Sequence, residues 1–238
     1  MNQILTNAPI TKDISLRSAA LAAGIGLLIM AILAPIANFA ILQKLIVPAD
    51  AGATVNNIMT SGGSFRLATA FFLIVAVLDI IVAWGLYIFL RPVNKSISLL
   101  TAWLRVVYAT MLGMVTISLV NVLQLTGGGV VHSLFDPDEL QGLVMQSVAR
   151  FNTGWEFSLI IFGFHLLLLG FLVFRAGYMK RILGILLLIA AMGYLIDGFG
   201  RILSPGYGAG VSVYTFIGEV VLIFWLLIAG GRSKARNQ

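Results

Sequence analysis

IIFGFHLLLLGFL (residues 160–172) carries one histidine, His165, in a run with no other ionisable side chain. A histidine there either holds a fold together or performs a function, and the character of the surrounding run decides the fold class. Of the 238 residues, 60% are hydrophobic and only 10% are charged, and the mean hydropathy is +1.02. Soluble domains carry about a quarter charged residues. A chain this poor in charge cannot cover a water-facing surface, so its solvent is the bilayer.

A membrane span takes about 20 mostly apolar residues. Six such runs are present, at 18–42, 66–90, 97–125, 153–174, 181–200 and 209–230. The first exceeds the apolar stretch of about 7–15 residues in a signal peptide, and no small-residue cleavage site follows it. It is read as an uncleaved helix. The expected architecture is all-α: a bundle of six transmembrane helices over 18–230, an amino-terminal cytoplasmic segment at 1–17 and a basic cytoplasmic tail at 231–238.

Charge orients the bundle. Lys12, Arg17, Arg91, Lys95, Arg175, Lys180, Arg181, Arg232, Lys234 and Arg236 all fall on one side of such a bundle. Lys44, Arg66, Arg150 and Arg201 fall on the other, with most of the acids. Basic residues are retained in the cytoplasm, so both termini are expected there. The excess of 15 basic over 9 acidic residues therefore points to membrane orientation and not to nucleic acid. The chain has no cysteine, which excludes disulfides, thiolate metal sites and cysteine nucleophiles.

The two long external connections have helical signals. In LFDPDELQGLVMQSVARF (134–151), Asp136 suits an N-cap, Pro137 the first helical position and Glu139 the third. Leu140, Leu143, Val144, Val148 and Phe151 then form one apolar stripe, which predicts a short external interfacial helix near 137–151. VPADAGATVNNIM (47–59) predicts a weaker helix after Pro48. Either is ordinary connecting structure unless it serves as a lid.

LIVPADAGATVNNI (45–58), LRPVNKS (90–96), FGFHLLLLGFL (162–172) and GYLID (193–197) together resemble the domain of unknown function 4386 group, bacterial multi-pass membrane proteins. The resemblance runs from the first apolar run through the sixth. It implies a bacterial inner-membrane protein and brings no activity, cofactor or site residue with it.

Ionisable side chains inside a bilayer are costly and usually face the bundle interior, paired or functional. Here they are Asp79, Arg105, His165, Asp197, Arg201 and Glu219. Counting back from the basic loops at about 1.5 Å per residue, Asp79, His165 and Glu219 share a level near the midplane, with Arg105 within reach of Asp79. Steps of about 100° per residue put Ser98, Thr101, Arg105, Tyr108 and Thr116 on one face of the third run. Ser158 and His165 share a face of the fourth, and Ser212, Thr215 and Glu219 a face of the sixth. Gly163 and Gly170, with Gly184, Ala191 and Gly198, make smooth seams along which the fourth and fifth runs are expected to pack, with His165 turned away from them.

Asp79 with Arg105 is expected as an internal ion pair, and Asp197 with Arg201 as a local i, i+4 pair. His165 and Glu219 are expected to line one cavity or hydrogen-bonded network. The residues expected to bind a ligand or handle protons are His165, Glu219, Asp79, Arg105, Tyr108, Ser158 and Thr215. No metal or cofactor is expected: GYGAG (206–210) follows no strand, and no HExxH, HxxxH or GxSxG occurs.

Three functions fit. The leading one is binding or translocation of a small molecule or lipid through a polar intramembrane site. The second is a structural or accessory membrane protein whose buried charges specify packing. The third is an intramembrane acid–base enzyme. The expected partners are the lipid bilayer and a small-molecule or lipid ligand, without nucleic acid; the sequence leaves oligomerisation open.

Overall fold

A computed structural model describes residues 14–128 and 135–230, and no strand occurs among them. Helix α1 spans Leu16–Pro35, passes into a π-helical stretch at Ile36–Leu42, and ends with a turn at Gln43–Leu45. The remaining helices are α2 (Ala51–Thr60), α3 (Gly62–Leu90), α4 (Lys95–Thr126), α5 (Pro137–Arg175), α6 (Arg181–Leu203), α7 (Ser212–Thr215) and α8 (Ile217–Ile228). The amino-terminal segment through residue 13 and the tail at 231–238 lie outside the described residues.

Among the described residues, five helices are long and apolar enough to cross a membrane: Leu16–Leu45, Gly62–Leu90, Lys95–Thr126, Pro137–Arg175 and Arg181–Leu203. The chain is a multi-pass membrane protein of the all-α class. The sixth apolar run is shorter and interrupted, its helical part covering Ser212–Ile228 with a break at Phe216 between α7 and α8. Among the described residues the bundle thus holds five full-length apolar helices and this shorter sixth one.

The local signals explain where the helices begin. Asn94 caps α4 through Ile97 N at 2.9 Å. Asp136 accepts from Asp138 N and Glu139 N and starts α5 with Pro137 in its first turn. Asp50 caps α2 through Ala53 N. The helix expected near 137–151 does form, but it has no stop signal. It continues into the fourth apolar run as one helix of 39 residues, about 58 Å long at 1.5 Å per residue. That is well beyond a hydrocarbon core of about 30 Å. Its first turns stand clear of the membrane and bury Leu140, Val144 and Phe151.

The helices pack in chain order. α1 lies on α3, α3 on α4, α4 on α5, α5 on α6 and α6 on α8, and α8 closes the ring against α1. Small residues set the close approaches. A Cβ on Gly85 would meet Ala19 O at 2.8 Å. One on Gly24 would meet Leu227, and one on Gly218 the backbone of Leu186. In the α5–α6 seam the closest approach to backbone is at Gly184, where a Cβ would sit 2.6 Å from Phe174 N and 2.8 Å from Gly170 O. Ala19 lies level with Gly85 and Ala20 with Gly230. The start of α1 and the end of α8 therefore emerge at the same end as the 91–94 and 176–180 loops. This is the basic end of the bundle. There Tyr178, pushed above the usual phenol range by burial, donates to Phe89 O at 2.8 Å.

The outer surface is apolar. Trp103, Met114 and Ile117 project outward from α4, while Ser98, Thr101, Arg105, Tyr108 and Thr116 of the same helix are buried. This inverts the pattern of a soluble bundle, as a lipid solvent requires.

Gly184→Ala forces its methyl against backbone atoms that cannot rotate away, so overpacking should cost about 1–3 kcal/mol. Gly113 has open space around its Cβ position, so Gly113→Ala should be neutral or stabilising by up to about 1 kcal/mol. Thermal unfolding of the two variants in one detergent should separate them in opposite directions from the parent chain; a Gly184→Ala midpoint equal to the parent's contradicts the packing.

Candidate functional site

Three side chains meet at the centre of the ring from three helices. Asp79 on α3 and His165 on α5 are 0% exposed, and Arg105 on α4 is 2% exposed. Arg105 Nη2 lies 2.6 Å from Asp79 Oδ1. Arg105 Nη1 lies 3.1 Å from His165 Nε2, and His165 Nδ1 lies 2.8 Å from the carbonyl oxygen of Thr101.

These contacts assign the imidazole's proton. A guanidinium only donates, so Nε2 accepts. A carbonyl oxygen only accepts, so Nδ1 carries the hydrogen and donates to Thr101 O. His165 is therefore the neutral Nδ1–H tautomer, wedged between an α4 carbonyl and an α4 guanidinium one turn later. It faces α4 and not the glycine seam with α6. Both ring nitrogens are occupied, and among the described residues no three of His, Asp and Glu gather as metal ligands.

Phe162, one turn before His165, organises the aromatic part of the site. The guanidinium carbon of Arg105 lies 5.4 Å from its ring centroid, a cation–π distance. His165 stacks on it, Tyr108 lies 4.9 Å away, and Tyr194 of α6 meets it edge-on at 5.3 Å. The Tyr108 hydroxyl lies beside the Trp155 indole.

Glu219 enters from the first turn of α8. Its carboxylate lies beside Tyr194, and the charges of Arg105 and Asp79 reach it. It is not bonded to His165, whose nitrogens are already taken. Of the expected shared cavity or hydrogen-bonded network, a direct His165–Glu219 bond is not formed among the described residues; the charge of Arg105 reaches both side chains.

Four buried polar atoms in this region have no hydrogen-bond partner: Asp79 Oδ2, Arg105 Nε, Trp155 Nε1 and Glu219 Oε1. Asp79 Oδ1, although in contact with Arg105, is also out of line for a hydrogen bond. The site is thus only partly satisfied internally.

Two aromatic layers bound the site along the bundle axis. Away from the basic end, Phe72, Phe151 and Trp155 pack with centroids 4.9–5.8 Å apart. Towards the basic end, Phe89 packs on Tyr178 at 5.4 Å and on Trp225 at 5.9 Å. Asp79 lies between them on α3, about 10 Å from the level of Phe72 and about 15 Å from that of Phe89 at 1.5 Å per residue.

The other residues expected here do different work. Ser158 Oγ donates to Trp155 O at 2.6 Å. Thr215 Oγ1 donates within its own turn, to Val211 O and Ser212 O. Neither hydroxyl meets a base. The expected Asp197–Arg201 pair is not formed. Asp197 accepts from Tyr207 Oη, Val211 N and Ser212 N at 2.7–2.9 Å, and Arg201 reaches across to Glu156 of α5. Two backbone amides and a phenol outcompete a single exposed guanidinium for that carboxylate. The 204–211 connection can offer those amides because Gly206 and Gly210 take positive φ of 78° and 60°.

The residues missed by sequence reasoning are Phe162, Trp155, Tyr194 and Glu156. A signal for the first two was present. Phe151, Trp155, Ser158, Phe162 and His165 follow 4-3-4-3 spacing and share one face. Tyr194 and Glu156 have no such signal, because their partners lie on other helices.

A family model described as Domain of unknown function (DUF4386) matches residues 22–230. An uncharacterised protein of Archaeoglobus fulgidus is 40% identical over 157 residues, 66% of this chain and 80% of the relative. No solved structure matches.

Arg105→Ala removes the cation that touches Asp79 and the donor to His165. Breaking a buried pair on one side costs about 3–5 kcal/mol, so the fraction of protein surviving heating, read by fluorescence-detected size-exclusion chromatography, should fall sharply. Asp79→Ala combined with Arg105→Ala removes both charges and should recover part of the loss. A double variant no better than Arg105→Ala alone counts against the pair.

Proposed function

The chain belongs to the DUF4386 family, and for this member we propose binding and translocation of a small polar molecule through the site formed by Asp79, Arg105, His165, Tyr108, Tyr194 and Glu219. The observation that carries this reading is the set of unpartnered polar atoms at the bundle centre. Asp79 Oδ2, Glu219 Oε1, Arg105 Nε and Trp155 Nε1 are sealed from the surface and lack partners. Each such group costs about 1–3 kcal/mol when left unmade, and a purely structural core would pair or replace them. Two acceptors and two donors suit a ligand that carries both kinds of group. The aromatic layers on either side support an occluded site of the kind that a translocating protein opens alternately.

The second reading, a structural or accessory membrane protein, is favoured by the Asp79–Arg105–His165–Thr101 O chain, which locks α3, α4 and α5 together. An acid–base enzyme has less support, since Ser158 and Thr215 spend their hydroxyls on backbone carbonyls. We place the protein in the cytoplasmic membrane, the inner membrane of a bacterium, with both termini in the cytoplasm. Arg17, Arg91, Lys95, Arg175, Lys180 and Arg181 at the basic end support that orientation.

Two measurements test this reading. A reporter that is active only in the cytoplasm, fused after Gln238, should be active; signal from a reporter active only outside overturns the orientation. The chain's lack of cysteine allows the second. Ser158→Cys should react with a membrane-impermeant maleimide from at least one side of oriented vesicles, faster than Leu169→Cys in the sealed core. Equal inertness of the two from both sides removes translocation and leaves the structural reading.

A further inference from the structure

The unpaired charge at the bundle centre points to a ligand class. Asp79 Oδ1 lies 2.6 Å from the Arg105 guanidinium, and the charges of both reach a second carboxylate, Glu219. His165 contributes no charge, because its contacts require the neutral tautomer. With both acids ionised the cluster stands one positive charge short of neutrality. A low-dielectric interior does not hold such an excess uncompensated. Among the described residues, no other ionised group is in contact with the cluster. α1 carries Arg17 at its basic-end start and Lys44 in its final turn, α3 offers Asp79, and α4 offers Arg105 and Tyr108. α5 offers His165, α6 offers Tyr194, and α8 offers Glu219.

Each acid also keeps an oxygen free of donors: Oδ2 of Asp79 and Oε1 of Glu219. Arg105 Nε, a non-acidic atom on a side chain only 2% exposed, is likewise unpartnered, so the open valences belong to the cluster as a whole. Its walls are the faces and edges of Phe162, Tyr108, Tyr194 and Trp155. Aromatic faces attract cations as well as apolar groups, and Arg105 already uses Phe162 in this way.

We propose that the site exchanges one proton for one small organic cation of the primary-ammonium class, the two competing for the negative charge shared by Asp79 and Glu219. This rests on the polar-ligand reading above and narrows it. The ammonium hydrogens satisfy Asp79 Oδ2 and Glu219 Oε1, and its carbon lies against the aromatic walls. The balance closes without another reactant: one cation enters and one proton leaves a carboxyl group.

The test uses the full chain purified in detergent, with methylammonium chloride as the probe and sodium chloride at equal ionic strength as the control. Methylammonium should raise the thermal midpoint beyond the salt control at high pH. Its apparent Kd should rise by about tenfold per pH unit once the proton occupies the site, as linkage requires for one-for-one competition. At the lower pH where the proton occupies the site, each bound cation should release one proton in weak buffer. Glu219→Gln keeps the side chain's size and hydrogen-bonding capacity and removes the charge, so it should stay folded while losing both the methylammonium shift and its pH dependence. A shift that survives in Glu219→Gln, or that is indifferent to pH, overturns the exchange. Acetamide stabilising the parent chain as well as methylammonium does ends the cation class but leaves the polar-ligand reading standing. If neither solute acts and Ser158→Cys is also inert to maleimide, both readings fall together.

Discussion

One guanidinium in the middle of a hydrocarbon-facing bundle constrains the rest of the structure. Arg105 is too costly to bury alone and too deep to reach water. Its contacts divide the cost among three helices. Asp79 on α3 neutralises it, His165 on α5 accepts from it, and Phe162 on α5 takes its face. Thr101 O closes the arrangement by accepting from the imidazole. Sliding α3, α4 or α5 by one turn would strand a charge or an imidazole nitrogen in the core. The polar chain therefore sets the helix register to a degree that apolar packing, which tolerates many registers, does not.

Close backbone contact reinforces that register. Gly184 against Phe174 and Gly170, Gly85 against Ala19 and Gly218 against Leu186 leave no room for a side chain. In lipid there is no hydrophobic drive between helices, so close approach and buried polar contacts must supply the association. The outward residues of α4, Trp103, Met114 and Ile117, contribute lipid contact and place no constraint on register.

The same core is incompletely satisfied. Arg105, His165 and Thr101 O are linked by hydrogen bonds, whereas Glu219 adds a second acid on the interrupted last helix and brings no cation with it. A structure built only for stability gains nothing from that acid. A site that holds a ligand between two aromatic layers does, because the unpaired oxygens and the charge deficit become complementary to a small cation. The break at Phe216 places Glu219 in the first turn of α8.

Much of the architecture was legible in the sequence, because the bilayer imposes rules that act residue by residue. Apolar runs of sufficient length, Asn94, Asp50 and Asp136 as caps, and basic residues segregated to one end need only local chemistry to be read. Helical periodicity placed Ser98, Thr101, Arg105 and Tyr108 on one inward face, and depth counting put Arg105 within reach of Asp79. Choices among several available partners depended on the fold. His165 bonds to Arg105 and Thr101 O instead of Glu219, Asp197 caps the 204–211 connection instead of pairing with Arg201, and Arg201 finds Glu156. In each case the competing partners lie on different helices or loops, and only the relative rotation and height of those elements decides which donor reaches which acceptor first. The merging of the 137–151 helix into α5 and the interruption of the last run are likewise tertiary outcomes. A helix continues or breaks according to what its faces meet, and a single chain's local pattern does not carry that information.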